Sequence, residues 1–132
     1  MPPKTNQPSN LQLQVLSILW ERGPSTVREL LDTLPDGKQR AYTTVLTVMQ
    51  NMEKKGLVTR SRQGSAHVYA AVESQRQTLG PVIRGLLQNV FGGRASRVMQ
   101  HLLDESDVSD EELSEIRRLI DQRKKSKSKK LS

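Results

Sequence analysis

RAYTTVLTVMQNMEKKG, residues 40–56, is the stretch whose reading decides the fold. At about 100° per residue, Ala41, Val45, Val48, Met49 and Met52 fall on one side of a helix. Thr43, Thr47, Gln50, Asn51 and Lys54 fall on the other, with no carboxylate until Glu53 on the margin. The first side is a packing stripe. The second carries short hydroxyl and amide groups that bond base edges or meet a thymine methyl, and it ends in lysines that neutralise phosphate. A polar helix side is often only a solvated surface, so the segment after the helix decides between the two readings.

Gly56 has the place of a glycine that ends a helix in the left-handed conformation. In LVTRSRQGSAHVYAA the spacing predicts strands over 58–62 and 66–70, joined by a turn holding Gly64 and Ser65. Arg60 and Arg62 lie on one arm and His67 on the other, so a basic hairpin comes directly after a polar-faced helix. That is the order of a winged helix-turn-helix, whose helix enters the major groove while the hairpin lies along the flanking backbone.

Toward the N-terminus, Ser9 and Gln12 form a capping box that opens a helix from about Asn10 to Glu21. Leu13, Leu16, Leu19 and Trp20 recur at helical spacing, which places Trp20 in the core, and Gly23 and Pro24 end the helix. Thr26 and Glu29 make a second box and a short helix from Val27 to about Leu34, with Val27, Leu30, Leu31 and Leu34 inward. LPDGKQR is then the turn into the pivotal helix. MPPKTNQPSN is polar, without the apolar run of a signal peptide, and residues 1–8 are expected to be flexible.

Toward the C-terminus, Leu79, Val82, Ile83, Leu86, Leu87, Val90 and Phe91 predict a helix with a broad apolar face, kinked or interrupted near Gly80 and Pro81. Val98, Met99, Leu102 and Leu103 continue the pattern in a second helix. Ser109 and Glu112 cap a third, carrying Leu113, Ile116, Leu119 and Ile120. These faces are wider than a small winged module covers, and a second copy of the chain is the simplest partner, since homodimers dominate soluble oligomers. The reading is therefore mainly α with a small β-hairpin: a winged helix over 9–72, a helical dimerisation region over 73–122, and a basic disordered tail over 123–132.

Charge obeys this division. Residues 1–72 hold 9 Lys and Arg against 5 Asp and Glu, residues 73–122 hold 6 against 9, and residues 123–132 hold 6 against none. The DNA-facing half is positive in its own right, and the tail accounts for much of the net +7. Aromatic residues make up 3% of the chain, too few for a stacking surface of the single-strand-binding kind. With no cysteine there is no disulfide, thiolate metal site or Cys nucleophile. No run approaches the length of a membrane span, so a cytoplasmic protein without membrane insertion is expected.

An enzyme needs converging catalytic groups, yet His67 lies in the wing and His101 in an arm helix with no motif around either. Asp104, Glu105, Asp107, Asp110, Glu111 and Glu112 lack the ligand spacing and central glycine of an EF-hand, and acids at a helix start complement its dipole. No catalysis, cofactor or metal is expected. The remaining alternatives are a winged helix used as a protein-interaction module and a nucleoid-type binder that ignores sequence.

AYTTVLTVMQNMEKKGLV, the Gly64 to Tyr69 wing, FGGRAS at 91–96 and SDEELSEIRRLI resemble the penicillinase-repressor (BlaI/MecI/CopY) family of bacterial transcriptional regulators. The resemblance runs from Ser9 to about Arg123. It implies an N-terminal winged helix, a C-terminal helical dimerisation region, and repression by a homodimer on a palindromic TACA/TGTA-type operator in double-stranded DNA. It puts base reading on Thr43, Thr44 and Thr47. It also puts wing contacts near Arg60 and Arg62; the residues themselves extend the expected backbone contacts to Arg40, Tyr42, Asn51, Lys54, Lys55 and His67, and the apolar spacing places the dimer on Leu79, Val82, Ile83, Leu86, Leu87, Val90, Phe91, Val98, Leu102, Leu113, Ile116 and Ile120. Two departures stand out. The copper-responsive branch has a C-terminal cysteine cluster that this chain lacks. Where the penicillinase branch is cut at Asn-Phe by a sensor-linked protease, this chain reads Gln100-His101, the candidate cleavage point, and the Gly92–Arg94 stretch offers a second, flexible one.

Overall fold

A computed structural model describes residues 8–34 and 40–131. The expected flexibility of residues 1–7 and most of the LPDGKQR turn lie outside the described residues. The elements run α1 (Asn10–Arg22), α2 (Val27–Thr33), α3 (Tyr42–Lys54), β1 (Val58–Gln63), β2 (Ala66–Ala71), α4 (Gln75–Val90), α5 (Ala95–Glu105) and α6 (Asp110–Leu131). The chain divides into two compact units, Met1–Arg84 and Gly85–Ser132.

In the first unit, both expected boxes close. Gln12 N–H donates to Ser9 Oγ at 3.2 Å and Ser9 N–H to Gln12 Oε1 at 3.0 Å. Glu29 N–H donates to Thr26 Oγ1 at 3.1 Å and Thr26 N–H to Glu29 Oε1 at 2.9 Å. Each box satisfies two amides that a helix start leaves without partners. The start of α4 has a third box of the same kind, between Ser74 and Gln77. Its S-x-x-Q spacing is the same signal that opens α1.

Val15, Leu16, Ile18 and Leu19 of α1, Val27 and Leu30 of α2, Val45, Met49 and Met52 of α3, Val58 and Tyr69 form one buried cluster. Full burial of such side chains stabilises by about 1.5–3 kcal/mol each before entropy is counted. Two details differ from the expected stripes. Ala41 is exposed and stands at the N-cap of α3, outside the packing face. Trp20 is half-buried at the rim of the core, its Nε1 donating to the Glu73 carbonyl at 2.9 Å. An indole needs a partner for its N–H, and the rim supplies one.

The hairpin pairs Val58 with Ala71, Arg60 with Tyr69 and Arg62 with His67. A third segment joins it, which the strand pattern does not predict: Ser25 N–H donates to Tyr69 O at 2.9 Å and Tyr69 N–H to Ser25 O at 2.8 Å. Ser25 thus ties the α1–α2 connection to the wing. At the end of α3, Gly56 has φ 78°, its N–H meets Glu53 O at 3.0 Å and Leu57 N–H meets Met52 O at 2.9 Å. This is the Schellman pattern, and it turns the chain directly into β1.

Helix α4 is helical from Gln75 to Val90 with Pro81 inside, so of the two expected outcomes, a kink or an interruption, the interruption does not occur. Pro81 removes one helical hydrogen bond, but a glycine before it has no Cβ to meet the proline ring, which relaxes the usual bar to helix at that position.

In the second unit, the stretch 92–94, expected to be flexible, is a hydrogen-bonded turn. Gly92 and Gly93 have φ 60° and 78°, and Gly93 N–H donates to Leu87 O at 2.9 Å. Where the sequence leads one to expect a disordered tail, α6 continues to Leu131. Hydropathy reads RKKSKSKKLS as unable to pack, which is a different matter from being unable to coil. Lys and Arg are good helix formers, and extending an existing helix avoids the cost of nucleating one. No residue of α4 or α5 is buried, and Ile83, Leu86, Val90, Leu102, Leu103, Leu113, Leu119 and Ile120 are all exposed.

Candidate nucleic-acid interface

Helix α3 turns its Val45–Met49–Met52 stripe into the core, and this fixes what faces out. Thr43, Thr44, Thr47, Gln50, Asn51 and Lys54 are all exposed. The hydroxyl of Thr47 donates to Thr43 O at 2.9 Å, within its own helix. Its proton is therefore committed, leaving an acceptor lone pair and a methyl group for an outside partner.

The N-terminus of α3 differs from those of α1 and α2. Ala41 has no side-chain oxygen with which to cap, and among the described residues no side chain accepts from the first-turn amides. An uncapped helix start presents N–H groups and a positive dipole end, the combination that takes a phosphate. Beside it, the guanidinium of Arg28 lies 5.4 Å from the centre of the Tyr42 ring. Nothing local in α2 marks Arg28 in the sequence; its contact with Tyr42 depends on how α2 packs against α3. Arg40 is half-buried just ahead of the helix.

The register of the hairpin sorts the wing. Directly opposed residues of an antiparallel pair share a face, so Arg60, Arg62 and His67 lie on the face that carries Val58 and Tyr69. At the base of the wing this face is core; farther out, Arg62 and His67 are exposed. Two of the expected phosphate contacts already have partners inside the protein. Arg60 Nε lies 3.8 Å from Glu53 Oε2, and Lys55 Nζ reaches Gln12 Oε1 at 3.5 Å. The second contact is at the long limit of a hydrogen bond and holds Lys55 only weakly.

Within the second unit, Gln100 and His101 are exposed on α5, and the His101 ring meets Phe91 edge-on at 5.2 Å. The Gln100-His101 peptide lies inside a helix, so a protease reaches it only after local opening. Among the described residues no group of three or more His, Cys, Asp or Glu has an arrangement able to hold a metal ion, and no helix is long and apolar enough to cross a membrane.

The Penicillinase repressor family model matches residues 8–122. The chain is 32% identical over 120 residues to the transcriptional regulator BlaI of Mycobacterium tuberculosis, covering 86% of this chain and 87% of that protein. It is 20% identical to the penicillinase repressor of Bacillus licheniformis, covering 94% and 97% of the two chains. With the methicillin resistance regulatory protein MecI of Staphylococcus aureus the identity is 18%, over 93% and 100%. Among solved structures, a MarR family protein from Bacillus stearothermophilus superposes with a TM-score of 0.53 at 22% identity, covering 92% of this chain and 76% of that one. That last likeness concerns the winged-helix fold alone.

Proposed function

This chain belongs to the penicillinase repressor family, and from that premise we propose that it is a sequence-specific transcriptional repressor that binds a palindromic TACA/TGTA-type operator as a homodimer. The observation that carries the reading is the exposed Thr43–Thr44–Thr47 face, held outward by the burial of Val45, Met49 and Met52 on the same helix. In the major groove, threonine methyls meet thymine methyls and hydroxyls meet base edges. Arg28, Arg40, Tyr42, Asn51, Lys54, Lys55, Arg60, Arg62, His67 and the start of α3 take the flanking phosphates, Arg60 in competition with Glu53.

The dimer forms through the exposed apolar side chains of α4, α5 and α6. Ile83 is 59% exposed and Val90 65% exposed, and so many large aliphatic groups left to water favour a partner of the same kind. Dimerisation tethers the second reading helix near the second half-site, which raises its effective concentration. Proteolysis of the arm removes that gain without touching the reading helix, and so releases the operator.

Selection of binding sites from random duplex DNA at moderate salt tests this reading. The expected product is a palindrome with TACA/TGTA-like half-sites about one helical turn apart, or a multiple of it. Recovery of no enriched sequence would sink it in favour of a protein-interaction module or an unselective DNA binder.

A further inference from the structure

The family match ends at residue 122, yet α6 continues as a helix to Leu131. The continuation carries six cations, Arg123, Lys124, Lys125, Lys127, Lys129 and Lys130, and no acid. We propose that this cationic extension is a second contact with the sugar-phosphate backbone of duplex DNA, independent of the winged module. The proposal rests on the reading of the chain as a DNA binder.

Three observations support it. First, the apolar stripe of α6 stops. Three and seven residues beyond Ile120, where Leu113, Ile116 and Ile120 would be continued, stand Arg123 and Lys127. An apolar partner that covers Ile120 therefore meets no apolar residue over 121–130. Second, Arg123, Lys124, Lys125 and Lys127 are exposed, and no ion pair holds them among the described residues. Upstream on the same helix, by contrast, Arg118 is paired with Glu115. Third, the helix dipole does not explain them. Cations complement the negative end only within the last turn, and these four precede it. Arg123 and Lys127 stand at i and i+4, where like charges repel. The nearest acid on the helix, Asp121, is one charge against these four, and no ion pair to them is formed among the described residues.

The partner is thus a dense polyanion, and two kinds of surface offer one. A membrane-surface helix needs an apolar face to bury beneath its cations, and residues 121–130 contain no apolar residue. A phosphate backbone needs only charge, and a helix bearing cations all round suits it.

The test uses the full-length protein with Arg123, Lys124, Lys125 and Lys127 all replaced by Gln, which keeps helix propensity nearly unchanged. Binding to random-sequence duplex is measured across a range of salt. Each phosphate neutralised contributes about 0.9 to the slope of log affinity against log salt, so losing four cations lowers it by as much as about 3.6 per chain. A fall of about two or more per chain, with the slope kept when the lysines are instead changed to Arg and Arg123 to Lys, is the expected result. A smaller fall overturns the proposal. So does a variant with an unchanged DNA slope but lost binding to phosphatidylglycerol vesicles, which assigns the helix to a membrane surface. The two readings fail separately: a wild type that selects an operator but shows no slope change loses only this proposal. A wild type that selects nothing, yet loses slope in the variant, loses only sequence specificity.

Discussion

Glu53, near the end of α3, holds its carboxylate 3.8 Å from the guanidinium Nε of Arg60 on β1, so α3 and the hairpin are joined by an ion pair. The two side chains are 36% and 43% exposed, and pairs so open to solvent stabilise by about 0–1 kcal/mol. Its consequence lies in binding more than in folding. Glu53→Gln is expected to leave the urea midpoint almost unmoved and to raise affinity for any duplex, because it removes a carboxylate and frees Arg60. Arg60→Ala is expected to weaken selected and random DNA alike and to lower the salt slope by about one. Fluorescence anisotropy on both DNAs decides; a Glu53→Gln protein that binds random duplex more weakly than wild type contradicts the assignment.

The commitment of the Thr47 proton to Thr43 O makes a distinction among threonine variants. Thr44→Ala and Thr47→Ala are each expected to cost about 1–3 kcal/mol on the selected site with little loss on random DNA. Thr47→Val keeps the methyl and should retain most of the affinity, whereas Thr47→Ser, which keeps only the hydroxyl, should lose it. Equal losses on selected and random DNA for the alanine variants would mean that α3 is not the reader.

Replacing Leu86 and Leu87 together with Glu should yield monomers in sedimentation while the winged module stays folded. Leu86 is already 48% exposed in the single chain, so its charge costs little there and much in a covered seam. The half-buried Trp20, held to Glu73 at the rim of the core, reports the folding of that module by its fluorescence. A wild type that sediments as a monomer at micromolar concentration contradicts the dimer outright.

Glu29 is exposed, and its hydrogen bonds from the backbone and then the side chain of Thr26 hold its carboxyl below the usual carboxylate range. A lowered folded pKa contributes stability that is present above the unfolded value, about 4.3, and is lost as pH falls through the folded one. The gap in urea midpoint between wild type and Glu29→Gln should therefore be open near neutrality and close in acid below that value. Thr26→Ala removes the cap itself and should cost about 1 kcal/mol at neutral pH. A gap that widens as pH falls would reverse the assignment.

A protease site engineered after Gly93 tests release. The Gly93 amide is tied to Leu87 O, so cutting there requires the turn to open first and should be slow in the folded protein. Once cut, the protein should lose most of its operator affinity while each winged module keeps its weak binding to single half-sites. Full affinity after complete cleavage places the switch in the winged module instead.

The features legible in the sequence are those written within a turn or two of chain. The Ser9–Gln12 and Thr26–Glu29 boxes, the Val45–Met49–Met52 stripe, the glycine that ends α3 and the alternation of the hairpin each depend on neighbours a few residues away, so residue type and spacing suffice to announce them. The threonine face comes from the same periodicity, since what packs inward determines what remains outward. The Ser25 bridge to Tyr69, the Arg28 contact with Tyr42 and the Glu53 pair with Arg60 are not legible there, because each needs segments that only packing brings together. Continuous helix through Pro81 and onward to Leu131 is hidden for a related reason. A breaker or a charge run sets a local preference, while cooperative propagation along an established helix decides the outcome.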